Sequence, residues 1–436
     1  MTRALLLTIL MLGPVAGAQI LPRTRLPTLP GGVPGSLLPA EAGLGDLAQQ
    51  TSGALTDQVR QLEDARQLQI RLLLRRHADV VEADPNGDPI VRGEVLAFSP
   101  TDAALTRARA AGFSILSDST LAALGMRIVT LDVPHGTSTN RALRRLRRLD
   151  PQGTYDFNNI YTESGASAGA RTGGPVVPQA QQTRAAGADG AITLGLIDGG
   201  VGAAQSVFDG ITIHQHGCGG DAVPSAHGTE VASLMVGRSA RFGGAAPGAA
   251  LYAADVYCGK PTGGSVADIA EALAWLVGRR VPVINVSLVG PPNALLQQAV
   301  ARVVARGFLL VAAVGNDGPA APPLYPAAYP GVVGVTAVDA RRRVIFEAER
   351  GPQVMFAAPG ADIAAASIPR GFVEVRGTSF AAPLVAGLLA ARLQEPNPSA
   401  AREAIDALAH AAIHLGAPGR NPVSGYGLVG AGLPAD

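Results

Sequence analysis

Lysine is nearly absent: Lys260 is the only one, and arginine supplies almost all of the 35 basic side chains. Beside abundant Ala, Gly and Pro, this reads as codon bias before adaptation. Acidic residues number 34, giving a formal net charge of +1, and no electrostatic argument favours a nucleic-acid or membrane-surface partner. Long hydrophobic runs are missing too. The apolar stretch Ala4 to Leu12 is too short to span a bilayer as a mature helix, and no later stretch is long and uncharged enough. A long C-terminal segment of alternating strands, as an outer-membrane barrel needs, is not expected either. Cysteine is limited to Cys218 and Cys258. The pair fits an oxidising compartment. A bridge and two free buried thiols both remain open, because sequence does not give the separation of their Cα atoms.

What is present divides the 436 residues into blocks, and 47% hydrophobic content supports a sizeable core. Met1-Thr2-Arg3, the apolar run and Ala16-Gly17-Ala18 fit an export signal over residues 1–18. Residues 19–46 are rich in Pro, Gly and Leu and read as a linker. A helical pattern of no evident role follows from about Leu47 to His77, and 19–90 form one block. Residues 91–161 read as a small unit. Strand Val91 to Phe98 leads to a helix capped by Ser99 or Thr101 and running through Ala111. Strands Phe113 to Leu116 and Met126 to Val133, helix Thr137 to Leu149 and strand Thr154 to Tyr161 complete it. That β-α-β-β-α-β order is a ferredoxin-like α+β pattern. The cluster Arg144-Arg145-Leu146-Arg147-Arg148 is expected on a solvated helix face, opposite Leu143, Leu146 and Leu149. Residues 162–182 are small, polar and Gly-rich, an exposed segment suited to cleavage. From 183 to 436, helices alternate with long apolar strands, which predicts an α/β fold with a doubly wound, mainly parallel sheet.

Three segments carry chemistry: Ile197-Asp198-Gly199-Gly200, His227-Gly228-Thr229-Glu230-Val231-Ala232 and Gly377-Thr378-Ser379-Phe380-Ala381-Ala382-Pro383. Each places one of Asp, His and Ser, in that order, beside glycine. Acyl transfer needs a hydroxyl, an imidazole to take its proton and a carboxylate to orient that imidazole. A fourth segment, Leu310 to Gly318, is an apolar strand ending in Gly315-Asn316. From about Ala191 to Gly430 the chain resembles the subtilisin-like serine peptidases (subtilases). His-Gly-Thr-x-Val-Ala and Gly-Thr-Ser-x-Ala-x-Pro are full matches.

The resemblance implies roles. Ser379 is the nucleophile at the start of an apolar helix, His227 the general base and acid, and Asp198 the orienting carboxylate. Asn316 donates to the oxyanion beside the backbone N–H of Ser379. Gly199 stands where the family usually has Ser or Thr. Substrate is expected to add as an extra strand. One edge is Ser287-Leu288-Val289, with Val289 where glycine is usual, and the other is around Gly263-Gly264-Ser265. The specificity pocket is expected between Leu288 and Ala313-Val314-Gly315, with Leu324 partly filling its floor. That predicts small or medium apolar side chains at the cleaved position. Such peptidases commonly carry an N-terminal propeptide, a folding helper and temporary inhibitor. The resemblance implies one at 91–161, with maturation cleavage between about Tyr161 and Thr172. No cofactor is implied. Many relatives bind structural calcium after the histidine helix, but Gly237 to Gly244 here offers no carboxylate and two arginines, so no calcium or other metal site is identified.

Several patterns compete. Gly165-Ala166-Ser167-Ala168-Gly169 fits a hydrolase nucleophile elbow but lacks strand–turn–helix context. His214, His216 and Cys218, with Asp221 nearby, resemble zinc ligands, though two histidines in a short extended segment are more often incidental. Cys258-Gly259-Lys260 is followed by Pro261 where a phosphate loop needs Ser or Thr. A catalytically silent secreted binding protein is the main rival, and the intact Asp, His, Ser and Asn positions argue against it. A lasting inhibitory role of the N-terminal unit is a third reading. The sequence is read as an exported, secreted or periplasmic serine endopeptidase with a propeptide, monomeric and acting on polypeptides.

Overall fold

The computed structural model describes residues 61–62, 65–163, 192–240, 242–369, 371–416 and 418–432. The expected export signal, the linker 19–46, the cleavable segment from 164 onward and the 165–169 motif lie outside the described residues. The chain divides into two compact units, Met1–Gly53 and Ala54–Asp436, and every described residue belongs to the second.

The N-terminal elements are helix α1 (65–76), β1 (Val81–Ala83), β2 (Pro89–Phe98), α2 (Asp102–Ala110), β3 (Ser114–Leu121), β4 (Met126–Asp132), α3 (Thr139–Leu149) and β5 (Thr154–Glu163). From β2 onward this is the expected β-α-β-β-α-β order, in an antiparallel sheet ordered β5-β2-β4-β3. Thr101 caps α2, its side chain accepting from Ala104 N–H. The arginines of α3 face solvent while Leu143 and Leu146 are buried, though Leu149 is 36% exposed. Two elements outrun the sequence pattern. β3 continues to Leu121, paired with β4 as far as Leu121↔Met126, because ladder bonding alone keeps its polar half extended. β5 continues to Glu163, past the boundary expected at Tyr161, for a reason that lies in the second half of the chain.

That half contains β6 (Thr193–Asp198), β7 (Ile213–Gly217), α4 (Ala226–Val236), β8 (Ala250–Asp255), β9 (Gly264–Ser265), α5 (Val266–Gly278), β10 (Val283–Val286), β11 (Leu288–Val289) and α6 (Ala294–Ala305). It continues with β12 (Leu309–Ala313), β13 (Val333–Val338), β14 (Val354–Pro359), the hairpin β15 (Ile363–Ala366) and β16 (Phe372–Val375), α7 (Thr378–Ala390) and α8 (Pro398–Ala411). Seven strands form one sheet, ordered β14-β13-β12-β10-β6-β8-β7, with every pairing parallel. Period-two alternation sends Leu194, Leu196, Val283, Leu309 and Val311 toward α4, α7 and α8. Ile197, Ile284, Val286, Leu310 and Ala312 point toward α5 and α6. Both faces are covered, as a doubly wound parallel sheet requires.

The two halves share a core. The N-terminal sheet packs Ile90, Val95 and Leu131 against its own helices, Leu143 of α3 among them, and turns Leu96, Met126, Ile128 and Tyr161 against α5 and α6. Its polar groups cap those helices: Asn158 Oδ1 accepts from Ala267 N–H at 3.2 Å, and Asp156 Oδ2 accepts from Ala294 N–H at 2.7 Å.

Cys218 and Cys258 form a disulfide with Cα atoms 5.2 Å apart and a sequence separation of 40. Asp255 braces the bridge, its carboxylate accepting from the N–H groups of Val223, Tyr257 and Cys258. A Cys218→Ala/Cys258→Ala protein should lose about 2–4 kcal/mol of stability by closing no loop in the unfolded chain. A urea midpoint unchanged from wild type would refute that. His214 packs at a tilt against Tyr252 and His216 stacks on Trp275, at ring-centroid distances of 4.5 and 4.8 Å; they gather no metal-binding group among the described residues.

Candidate active site

Asp198 is the last residue of β6, and the sheet's winding turns there: β8 lies on one side of β6 and β10 on the other. Ligands collect at the carboxyl ends of strands beside such a reversal. His227 opens α4, whose first turn is capped by Ser225 Oγ accepting from Gly228 N–H. The His227 Nδ1 lies 2.9 and 3.0 Å from the two Asp198 oxygens. Both side chains are buried, and His227 Nε2 has no hydrogen-bond partner.

Ser379 sits in the first turn of α7, fully buried, and the ring of the next residue, Phe380, lies 5.4 Å from the His227 ring. Pro383, four residues on, has no N–H, so the Ser379 carbonyl loses its helical donor. Ser287 Oγ donates to that carbonyl at 2.9 Å and receives in turn from Asn285 Nδ2 at 2.9 Å. The same proline that would weaken a helix thus ties the Ser379 turn to the strand edge after β10. The Ser379 hydroxyl points toward Ser287 O at 3.4 Å. Asn316 Oδ1 accepts from Thr378 N–H at 3.0 Å, and Gly315 N–H donates to Thr378 Oγ1 at 3.2 Å. With its oxygen so engaged, the Asn316 amide presents Nδ2 as its donor.

Both expected substrate edges carry a strand of the chain itself. β5 pairs antiparallel with β11, in the register Leu288↔Glu163 and Val289↔Thr162. It pairs antiparallel with β9 as well, Ile160↔Ser265 and Tyr161↔Gly264. Tyr161 is fully buried with its hydroxyl donating to Pro291 O at 2.5 Å. A Cβ on Gly290 would stand 2.7 Å from that ring, so only glycine leaves room. Glu163 ends the strand with its carboxylate within 4.8 Å of His227 and Asp198. Burial works against a charge on His227, yet Asp198, Glu163 and Glu230 outweigh it and the pKa is pushed up to about 9.

Of the pocket residues, Leu288, Ala313 and Val314 are buried, and a Leu324 methyl lies 3.0 Å from where a Gly315 Cβ would be. Sequence reasoning missed Glu349. It is fully buried, accepts from Leu324 N–H at 3.2 Å, abuts Gly315 and leaves Oε1 unpartnered. Burial, then the nearby Asp317, push its pKa up to about 9, so it is a neutral acid at pH 7. Arg66 and Glu163 were missed as well. Each sits in unremarkable local sequence, and only strand register and helix placement bring them here.

A family profile described as Subtilase family matches residues 220–427. Subtilisin DY of Bacillus licheniformis is 31% identical over 254 residues, 55% of this chain and 90% of that protein. The chain belongs to the subtilase family. The minor extracellular protease Epr of Bacillus subtilis is 31% identical over 206 residues, 47% of this chain and 32% of its own length. Subtilisin Savinase of Lederbergia lenta is 38% identical over 176 residues, 40% of this chain and 64% of its own. Against several of these relatives, therefore, the chain spans about a third to two thirds of their length. Fervidolysin from Fervidobacterium pennivorans, a keratinolytic enzyme related to subtilisin, shares the fold. Its crystal structure superposes with TM-score 0.65 and 19% identity, covering 79% of this chain and 61% of that one.

Proposed function

We propose that this chain is an exported serine endopeptidase that acts through an acyl-enzyme on Ser379 and is made as a self-processing precursor. One observation carries the reading. β5 lies as an extra strand between β9 and β11 and ends beside His227, which is how a peptide substrate adds to strand edges. The strand that does so is the last of the unit read as a propeptide, and the chain beyond Glu163 enters the window expected for cleavage. In the chemistry, Ser379 Oγ attacks the peptide carbonyl while His227 takes its proton and Asp198 steadies the imidazolium. Asn316 Nδ2 and the Ser379 N–H hold the oxyanion, and His227 then protonates the leaving amine. No cofactor enters any step. Epr is named for an extracellular protease, and the leader sequence here favours the same route.

A fluorophosphonate probe tests the reading. It should label wild-type protein once, with a bond from Ser379 Oγ to phosphorus and loss of fluoride, and abolish hydrolysis of peptide p-nitroanilides. Absence of labelling under conditions that sustain hydrolysis would overturn it.

Two expectations follow for the same site. With Leu324 filling the pocket against Gly315, kcat/KM for Ala or Leu at the cleaved position should exceed that for Phe by about 10-fold. Equal or reversed values would reject that pocket. The raised His227 pKa has a sign as well: a protonated imidazole accepts no proton from Ser379, so self-cleavage should speed up as pH rises from about 7 to 9. Glu163→Gln removes one of the charges that raise it and should shift the rise to lower pH. Intact-mass time courses read both, and a flat profile would count against the assignment. By linkage, the charged His227 stabilises the precursor fully below its ordinary value of 6.5, and this is lost as pH climbs through about 9.

A further inference from the structure

Helix α1 has no counterpart in the β-α-β-β-α-β unit, yet it lies over the candidate active site. Arg66 Nη1 donates to Thr162 Oγ1 at 3.2 Å, and Arg66 Nε lies 3.3 Å from Asp317 Oδ2. Thr162 belongs to the strand that fills the substrate edges, and Asp317 directly follows Asn316. One guanidinium therefore ties the occupying strand to the oxyanion loop. Its planar fork can serve two acceptors at once, which the single ammonium of lysine does less well. The ion pair is largely shielded, with side chains only 16% and 20% exposed, so water and salt screen it less than an ordinary surface pair. Beside it, Leu62 covers Gly318, its Cδ1 3.5 Å from where a Cβ would sit.

Among its described residues the helix buries little, with Leu72, Leu73 and Leu74 half-buried. Ile70 is its one buried side chain among the described residues. A cleft of about 840 Å³ lies between α1, Thr162 and Glu163 on one side and Asn316, Glu347 and Arg376 on the other. An element with few buried apolar contacts opens at low cost in free energy. Removing Arg66 should therefore release it.

We propose that α1 is a second inhibitory element, a releasable strap that locks β5 in the substrate edges through Arg66. The proposal rests on the reading of this chain as a precursor of a peptidase. Cleavage anywhere after Glu163 leaves α1 and β5 on the same fragment. The two then hold the cleft as a linked pair, each raising the effective concentration of the other.

The test uses the full chain as wild type, Arg66→Ala and Arg66→Lys. Each is refolded by dilution and followed with a peptide p-nitroanilide carrying Leu at the cleaved position. Arg66→Ala should shorten the latent period about 10-fold, the size expected of a shielded charge-assisted contact, with Arg66→Lys in between. The final rate per fluorophosphonate-titrated site should match wild type, because residue 66 leaves with the released fragment. In a Ser379→Ala background, Arg66→Ala should also speed amide exchange in residues 160–163 about 10-fold. Equal latent periods and equal exchange would overturn the strap. If no protein hydrolyses peptides at all, the peptidase reading fails instead, and the exchange rates still decide whether Arg66 holds β5.

Discussion

Ser379→Ala should leave the precursor uncut, whereas wild type is shortened to begin between Tyr161 and Thr172, and intact mass of the exported protein reads the difference. The expectation rests on arrangement as much as on residue identity. Ser379 lies in the first turn of α7, its carbonyl is held by Ser287, and the Phe380 ring next to it touches the His227 side of the site. Alanine keeps the turn, the Ser287 bond to the backbone and the packing, since only the hydroxyl is lost. Folding should therefore survive while peptide hydrolysis falls by about 10⁶-fold in kcat, a magnitude measured for the nucleophile of subtilisin itself. Identical masses for the two proteins, cut or uncut, would show that processing does not depend on Ser379. Maturation by another protease, or a binding role, would then explain the fold better.

Tyr161→Ala is the second large effect, on the hold of β5 rather than on chemistry. The ring is wholly buried among residues of the α5 and α6 core, and its hydroxyl satisfies Pro291 O. Truncating a buried aromatic side chain costs about 3–5 kcal/mol. Gly290, which leaves space for the ring, cannot refill it. If only about 3 kcal/mol falls on the local strand pairing, β5 opens roughly 10²-fold more often. In a Ser379→Ala background this appears as lost exchange protection in residues 160–163, with little change in the interior strands β10 and β12. In the active protein it appears as a shorter latent period with an unchanged final rate. Protection as high as in the parent would mean that the backbone pairs with β9 and β11 suffice and that Tyr161 is filler.

The parallel sheet was legible because its cues are local. Short, largely apolar runs on strands such as β10 and β12, and apolar helices between them, encode a doubly wound fold wherever the chain is read. His227, Ser379 and Asn316 stood out for the same reason, each embedded in a short local motif with glycine close by. Helix α1 could be seen as a helix, yet nothing in its sequence said what it covers. Glu349 looked like any surface acid among its charged neighbours, and its burial against Gly315 follows from a loop that folds back after β13. The end of β5 was placed short because Thr162 and Glu163 carry no strand pattern. They are extended by pairing with β11, more than a hundred residues away.

The sequence by itself determined the order of elements, the apolar faces and the identity of the Asp, His, Ser and Asn candidates, since these depend on neighbours along the chain. Tertiary structure alone decided that Cys218 meets Cys258, that Tyr161 anchors on Pro291 across 130 residues, and that Arg66 reaches Thr162 across 96. Such contacts depend on where a rigid, close-packed core brings surfaces together, and side-chain pairs that distant leave no periodicity for a sequence to display.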